Sequence, residues 1–517
     1  MQTFSHAVTP AAAGQGQPGE DDVLATLAPR FSVRSAGRSR TVRRAWLDTF
    51  DWRLHRAGLT LEHVTGSRPA ELVLTGRGGG QVTQQVSRLT WPALAGDLPA
   101  GPVRDRLCAA AGIRALLPAA RGVSTMQRLR VLNPDTKTIA WLTVDRTAVS
   151  YPAAAQLPAR YQVTAVRGYQ PQAQRVAEIL ARVDGTPLAS PLDAALAAAG
   201  RHAEDYSNKL NVPLSPGMPG RLALRAVLLH LLDSIQANLP GTIKDVDTEF
   251  LHDLRVAVRR TRSALKLAGD VLPAGLAARF GPEFKWLGDL TTPTRDLDVY
   301  LLGYQDMADG LVSAKPAELA PFHDYLAHQR GVEYRRLARE LRSARFSRLA
   351  ADWRGALNDL APPVQGPAAA ALARERIQRA HRQVLRLGRA ITADSPAERL
   401  HDLRKRCKEL RYLLEFFVSV FDAEAHQRVV KDLKGLQDCL GEFQDRQVQQ
   451  EELREFASQM LADGDTPVTA LLAMGELAGQ LGLRQHQARD EFAGRFHEFA
   501  SLGSERRFRV LTGGPTR

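Results

Sequence analysis

The spacing of apolar residues divides the chain into two textures. Up to about residue 185, short apolar runs end at turn residues. Glu71–Leu74 precedes Thr75–Gly80, and Gln127–Leu132 and Ile139–Val144 flank Asn133-Pro134-Asp135. Short runs holding Thr and Val, cut by Gly and Asn-Pro-Asp, predict antiparallel strands joined as hairpins. One helix is expected among them, over Arg104–Leu117. From Arg221 onward apolar residues return every three or four positions, as in Leu222, Val227, Leu228, Leu231, Leu232 and Ile235, which predicts amphipathic helices. Pro240-Gly241, Pro273, Thr292-Pro293, Lys315-Pro316, Pro362-Pro363 and Ser395-Pro396 punctuate them, as suits helices packed in bundles.

These textures predict an α+β multidomain fold. An antiparallel β domain is expected over 23–185 and an all-α domain over 221–505. The breaker-rich stretch 186–220 reads as a linker, tightest at 212–220, with one Ala-rich helical patch near Leu192–Ala199. Residues 1–22 are rich in Gly, Pro, Ala and Gln and read as a flexible tail rather than a signal peptide; 506–517 read as a C-terminal tail. No apolar stretch approaches the roughly 20 residues of a membrane helix. The expectation is a cytoplasmic protein with no membrane partner.

The helical half repeats itself. Leu251-His252-Asp253-Leu254-Arg255 recurs as Leu400-His401-Asp402-Leu403-Arg404, at an offset of 149. Without a gap, 15 of the 49 positions of 251–299 are identical in 400–448, including Arg262/Arg411, Lys285/Lys434, Asp289/Asp438 and Asp296/Asp445. Two related bundles in tandem follow, about 221–365 and 366–505. His252, Arg255, Arg259 and Arg262 stand at i, i+3, i+7 and i+10, within an arc of roughly 80° on one helix face. His401, Arg404, Lys408 and Arg411 take the same places, with Lys405 at the margin. Like charges so spaced destabilise a helix. Two rows kept in register, with no acid within them, point to an external polyanion. Lys285, Lys431 and Lys434 add a second rank on a following helix. Asp296 and Asp445 follow a turn and are expected as helix caps or local ion-pair partners.

Charge agrees with this. Lys and Arg total 69 against 56 Asp and Glu, a formal +13, which favours anionic partners without choosing among them. Three cysteines without a Cys-x-x-Cys exclude a disulfide scaffold and a zinc ribbon. The two histidines lack a second ligand at metal-binding spacing, so no metal and no cofactor are expected. Gly76–Gly80 is Gly-rich, but no Gly-Lys-Ser/Thr follows, so it reads as a hairpin tip rather than a phosphate loop.

The pattern Leu-His-Asp-Leu-Arg-x-x-x-Arg/Lys-x-x-Arg, then Lys-x-Leu-x-Asp-Leu/Cys with a later Asp, resembles the CHAD domain (conserved histidine α-helical domain). The resemblance covers about 221–505 and the motif occurs twice. It implies two four-helix bundles related by a pseudo-two-fold, whose basic faces bind inorganic polyphosphate. Carried over by position, the binding residues are His252, Arg255, Arg259, Arg262, His401, Arg404, Lys408 and Arg411, with Lys285, Lys405, Lys431 and Lys434 beside them. Leu47-Asp48-Thr49-Phe50-Asp51-Trp52-Arg53-Leu54-His55-Arg56-Ala57-Gly58-Leu59 resembles the CYTH domain, a β-tunnel fold that handles triphosphates. This chain departs from it. The opening Glu-x-Glu-x-Lys is absent, Leu61-Glu62-His63-Val64 stands where Leu-Arg-x-Arg is usual, and Tyr161–Arg167 carries no carboxylate. Residues 23–185 are therefore expected to be a degenerate, non-catalytic CYTH-like domain.

The function expected is binding of polyphosphate, at granules of the polymer. Two alternatives use the same residues or the other domain: nucleic-acid binding by the basic rows, and a metal-dependent triphosphatase in the N-terminal half. Aromatics make up only 6% of the chain, too few near the rows for base-stacking platforms, which counts against the first. The missing acids count against the second.

Overall fold

The computed structural model describes residues 3–6, 24–66, 69–183, 190–362, 365–464 and 466–513. The chain divides into two compact units, Met1–Ser207 and Asn208–Arg517.

In the first unit the elements run β1 (Thr3–His6), β2 (Ser32–Ser35), β3 (Arg40–Thr49), α1 (Arg53–Arg56), β4 (Leu59–Thr65), β5 (Ala70–Gly76), β6 (Gln81–Val86), β7 (Ala93–Leu94), α2 (Pro102–Ala111), β8 (Ala115–Leu132), β9 (Thr138–Tyr151), β10 (Ala155–Gln156), β11 (Arg160–Ala165), α3 (Gln170–Val183) and α4 (Pro191–Ala197). The strands form one antiparallel sheet in the order β1-β11-β9-β8-β3-β4-β5-β6, with β2 and β7 added to β8 and β10 to β9. Alternation gives the sheet two unlike faces. On one, Leu61, Leu72 and Leu74 pack with Val103 and Leu107 of α2, and Leu142, Val144 and Val163 pack with Val176 and Leu180 of α3. The other carries Arg44, Glu62, Asp145 and Arg160. Glu62 lies opposite Trp46, and Asp145 opposite Arg160.

Several expectations change here. The helix expected over Arg104–Leu117 stops at Ala111, because Gly112 turns the backbone to φ 59 and Ala115 already belongs to β8. Of the expected N-terminal tail, Thr3–His6 is a strand paired with Tyr161–Thr164; the rest of 1–22 lies outside the described residues. The stretch 186–220 is not a free linker. Leu192, Ala195 and Leu196 of α4 pack with Trp46, Ala120 and Val149 of the sheet and with Trp52, which precedes α1. Leu210, Val212 and Leu214 join the core of the second unit.

The second unit is helical: α5 (Gly220–Ile243), α6 (Thr248–Ala268), α7 (Leu276–Asp309), α8 (Ala320–Leu341) and α9 (Ala344–Asn358), then α10 (Ala369–Arg389), α11 (Ala397–Phe416), α12 (Ala423–Ala462), α13 (Val468–Phe499) and α14 (Leu502–Leu511). Adding 149 to Gly220 and Thr248 gives the first residues of α10 and α11, and adding it to Ala320 falls one residue inside α13. The unit is two four-helix bundles, α5–α8 and α10–α13, each followed by a short helix. Where the two repeats start, their backbones meet. Gly220 donates to the Pro367 carbonyl at 2.8 Å and Ala369 to the Met218 carbonyl at 2.7 Å. Residues 220 and 369, and 218 and 367, are 149 apart, so this pair of bonds lies on the pseudo-two-fold. One apolar core, including Leu224, Leu254 and Phe284 with Leu403, Leu433 and Phe492, runs through both repeats.

Three further corrections concern these helices. Pro240-Gly241 and Thr292-Pro293 do not break the helices; Pro240 lies within the last turn of α5 and Pro293 within α7. The Thr291 and Thr292 hydroxyls bond the carbonyls of Leu287 and Gly288 one turn earlier. Residues 506–511 are not a tail, because Phe508 and Leu511 of α14 are buried in the core. Finally, Gly220–Ile243 is long and apolar enough to cross a membrane by length and composition. Its Leu224, Val227, Leu228, Leu231, Leu232 and Ile235 are buried in the core of the helical unit.

Candidate anion-binding site

Each basic row rides on a helix fixed by burial of its other face. In α6, Leu251, Leu254, Ala257, Val258 and Leu265 are buried, and Asp247 caps the first turn by accepting from the Glu249 and Phe250 amides. In α11, Leu400, Leu403, Cys407, Leu410 and Leu414 play the same part. The cations are left on the opposite side, half-buried or exposed.

The two rows converge. Lys408 of the second repeat lies near Arg404 of its own helix and near Arg259 and Arg255 of the first repeat. Burial, then Arg404 and Arg259, hold its ammonium down to about 8, against the pull of Asp445. Arg259 and Arg262 are exposed, and neither has a carboxylate partner among the described residues. Arg262 lies against Gly288 of α7: a Cβ there would come 2.7 Å from its Nη1. The glycine makes room for the guanidinium; its counterpart in the other repeat is Gln437, which donates to the Cys407 carbonyl.

Other members of the rows are engaged by acids. Arg404 Nη2 meets Asp445 Oδ1 at 2.7 Å, and Arg255 Nη2 meets Asp296 Oδ1 at 3.7 Å while its Nη1 donates to the Thr292 hydroxyl. These two pairs are 149 apart at both ends. Asp296 and Asp445 therefore act as ion-pair partners, and the helix-cap alternative falls because both lie deep inside α7 and α12. Arg411 Nε donates to Glu415 at 2.8 Å.

The histidines differ between repeats. His401 Nδ1 is 2.6 Å from Gln444 Oε1. The residue homologous to Gln444 is Arg295. Burial first, then Arg295, push the His252 pKa below its ordinary value. Arg295 was not singled out in the sequence. With Thr292-Pro293 read as a turn, nothing placed it on the face that meets His252. The second-rank cations are exposed. Lys285 bonds Asp289 at 2.7 Å and Lys405 bonds Asp402 at 3.3 Å, while Lys431 and Lys434 are exposed on the third and fourth turns of α12. A cavity of about 630 Å³ beside Phe492 and Phe496 contains none of these cations.

On the sheet's polar face, Arg44 Nη2 meets Asp145 at 2.7 Å and its Nη1 meets Glu62 at 3.4 Å. Burial raises the Glu62 carboxyl pKa, opposed by Arg44. The acids of this face stand on β4, β5 and β9: Glu62 and Asp145 are paired with Arg44, and Glu71 of β5 shares the face opposite Val64.

Residues 226–454 match the family model of the CHAD domain. No curated protein matches the chain. Among solved structures, the CHAD domain from the plant Ricinus communis is 27% identical, covers 56% of this chain and 96% of its own, and superposes with a TM-score of 0.48. PptA from Streptomyces chartreusis is 17% identical, with 54% and 99% covered and a TM-score of 0.42. An adenylate cyclase candidate from Bacillus halodurans is 14% identical, with 37% and 94% covered and a TM-score of 0.25. The helical unit contains a CHAD domain.

Proposed function

We propose that the CHAD domain of this chain binds inorganic polyphosphate along the facing cation rows of α6 and α11. The observation that carries the proposal is Lys408, half-buried among Arg404, Arg259 and Arg255 from both repeats. Cations held together repel one another, and a polyanion relieves that repulsion. Guanidinium groups donate paired, charge-assisted hydrogen bonds to phosphate oxygens, and displaced counterions drive association. Free polymer and granule present the same oxygens. The aromatic side chains near the rows favour polyphosphate over nucleic acid. Phe416 is buried and Tyr412 packs on the core, so neither offers a free face for a base.

The test is titration of the full chain with long-chain polyphosphate at two salt concentrations, with duplex DNA at equal phosphate as competitor. The expected result is tight, salt-steep binding that DNA fails to displace. Arg259→Ala with Lys408→Ala should weaken it about a hundredfold, as loss of two charge-assisted contacts implies. Displacement by DNA as readily as by polyphosphate would reduce the rows to a generic basic surface.

The N-terminal unit is proposed to be non-hydrolytic. Triphosphate hydrolysis on a fold of this kind needs carboxylates free to hold a divalent metal. Here two carboxylates of the polar face, Glu62 and Asp145, both face Arg44, which leaves Glu71 of β5 without a second free acid beside it on β4 or β9. With magnesium or manganese, phosphate release from tripolyphosphate should stay at background. Release that disappears in Asp145→Asn would overturn this.

A further inference from the structure

Two ion pairs join α6 to α11. Arg260 of α6 meets Glu415 of α11, Nη2 at 2.8 Å and Nε at 3.0 Å. Lys266 of α6 meets Glu409 of α11 at 2.7 Å. Position 260 is the repeat counterpart of 409, and 266 of 415. In geometry the seam is therefore isologous, as between the subunits of a two-fold dimer. In charge it is not. Both cations are on α6 and both acids are on α11.

This sorting has consequences for assembly. A second α6 in place of α11 would set Arg260 against Lys266 twice. A second α11 in place of α6 would set Glu409 against Glu415 twice. Arg406 and Arg411, which bond Glu409 at 2.7 Å and Glu415 at 2.8 Å, soften the acidic case, whereas among the described residues Arg260 and Lys266 pair with no acid besides Glu415 and Glu409. Tandem repeats with one shared core are prone to exchange between copies. We infer that the α6–α11 seam is a keyed interface: the first repeat fits the second repeat of its own chain and rejects the first repeat of another copy. The keyed residues adjoin the site in sequence, Arg260 beside Arg259 and Glu409 beside Lys408. The contact that chooses the partner thus also sets the register of the facing cations. The inference does not depend on what ligand they bind.

The test makes the seam symmetric in charge. Lys266→Glu with Glu409→Arg keeps both pairs within a chain but places one cation and one acid on each helix, so homotypic pairing becomes acceptable. Arg260→Glu with Glu415→Arg does the same through the other pair. The full chain is unfolded in denaturant, refolded at high concentration and sized by chromatography with light scattering. The wild type should return as monomer, and either symmetrised variant should give about tenfold more exchanged dimer, as removal of like-charge contacts from the homotypic seam implies. The fourfold inversion (R260E, K266E, E409R, E415R) keeps charges sorted by helix and should return as monomer. Symmetrised variants with the wild-type dimer fraction, or an inverted chain as dimeric as they are, would overturn the inference.

Discussion

Lys408 gives the site its pH response in the neutral to alkaline range. Burial and then Arg404 and Arg259 disfavour its charged form and hold the ammonium down to about 8. Arg255 adds to this from α6, and Asp445 of α12 opposes it. A bound polyanion favours the charged form and raises the pKa. Binding therefore takes up protons, and affinity rises as pH falls from about 9 to about 7. Lys408→Arg keeps a cation that does not titrate in that range. It should retain affinity and lose the proton uptake, whereas Lys408→Ala loses both. Calorimetry in buffers of different ionisation enthalpy counts the protons, and uptake unchanged in the arginine variant would assign it elsewhere. Folding carries its own linkage. The folded pKa lies below the ordinary lysine value of 10.5, so the unfolded chain binds more protons between about 8 and 10.5, and stability rises with pH across that window. His252, held below its ordinary value by burial and Arg295, adds a second uptake in a more acid range.

At the scale of elements, what was legible in the sequence is what local spacing determines. The rows at i, i+3, i+7 and i+10 need only helical geometry to share a face, and the 149-residue offset aligns the helices of both repeats. The hairpin at Asn133–Lys137 and the glycine-rich tip at Gly76–Gly80 follow likewise from turn chemistry. What was not legible depends on residues far away in the chain. Thr3–His6 is a strand because β11 offers it an edge. Pro293 sits within a helix because burial of Leu287, Leu290 and Leu297 on either side of it along α7 outweighs its breaking tendency. Asp296 and Asp445 look like caps beside a proline turn or a glycine, but they serve arginines on the preceding helix, 41 residues earlier in each repeat. Arg260 and Lys266 fall outside the row, so only the packing of α6 on α11 gives them a role. The basic character of the site was readable, whereas its internal neutralisation was not. The sequence shows cations in series on one helix but not the acids that other helices bring to them.

The whole molecule carries a formal +13, so a polyanion has two ways to bind it: through the facing rows or through diffuse surface charge. Salt dependence separates them. Each cation that neutralises a phosphate of a single-stranded polymer contributes about 0.7 to the slope of log K against log salt. Arg259 and Arg262 are exposed on the row. Arg335 and Arg348 are equally exposed, on α8 and α9. Replacing either pair by alanine takes the formal charge from +13 to +11. If the rows are the site, Arg259→Ala with Arg262→Ala should flatten the slope by about 1.4, two cations' worth, for a polyphosphate too short to leave the site. Arg335→Ala with Arg348→Ala should leave it unchanged. The comparison holds net charge fixed and varies only position. Equal flattening in both variants would mean that the polymer reads the molecule's total charge, and the two converging rows would lose their claim to be the site.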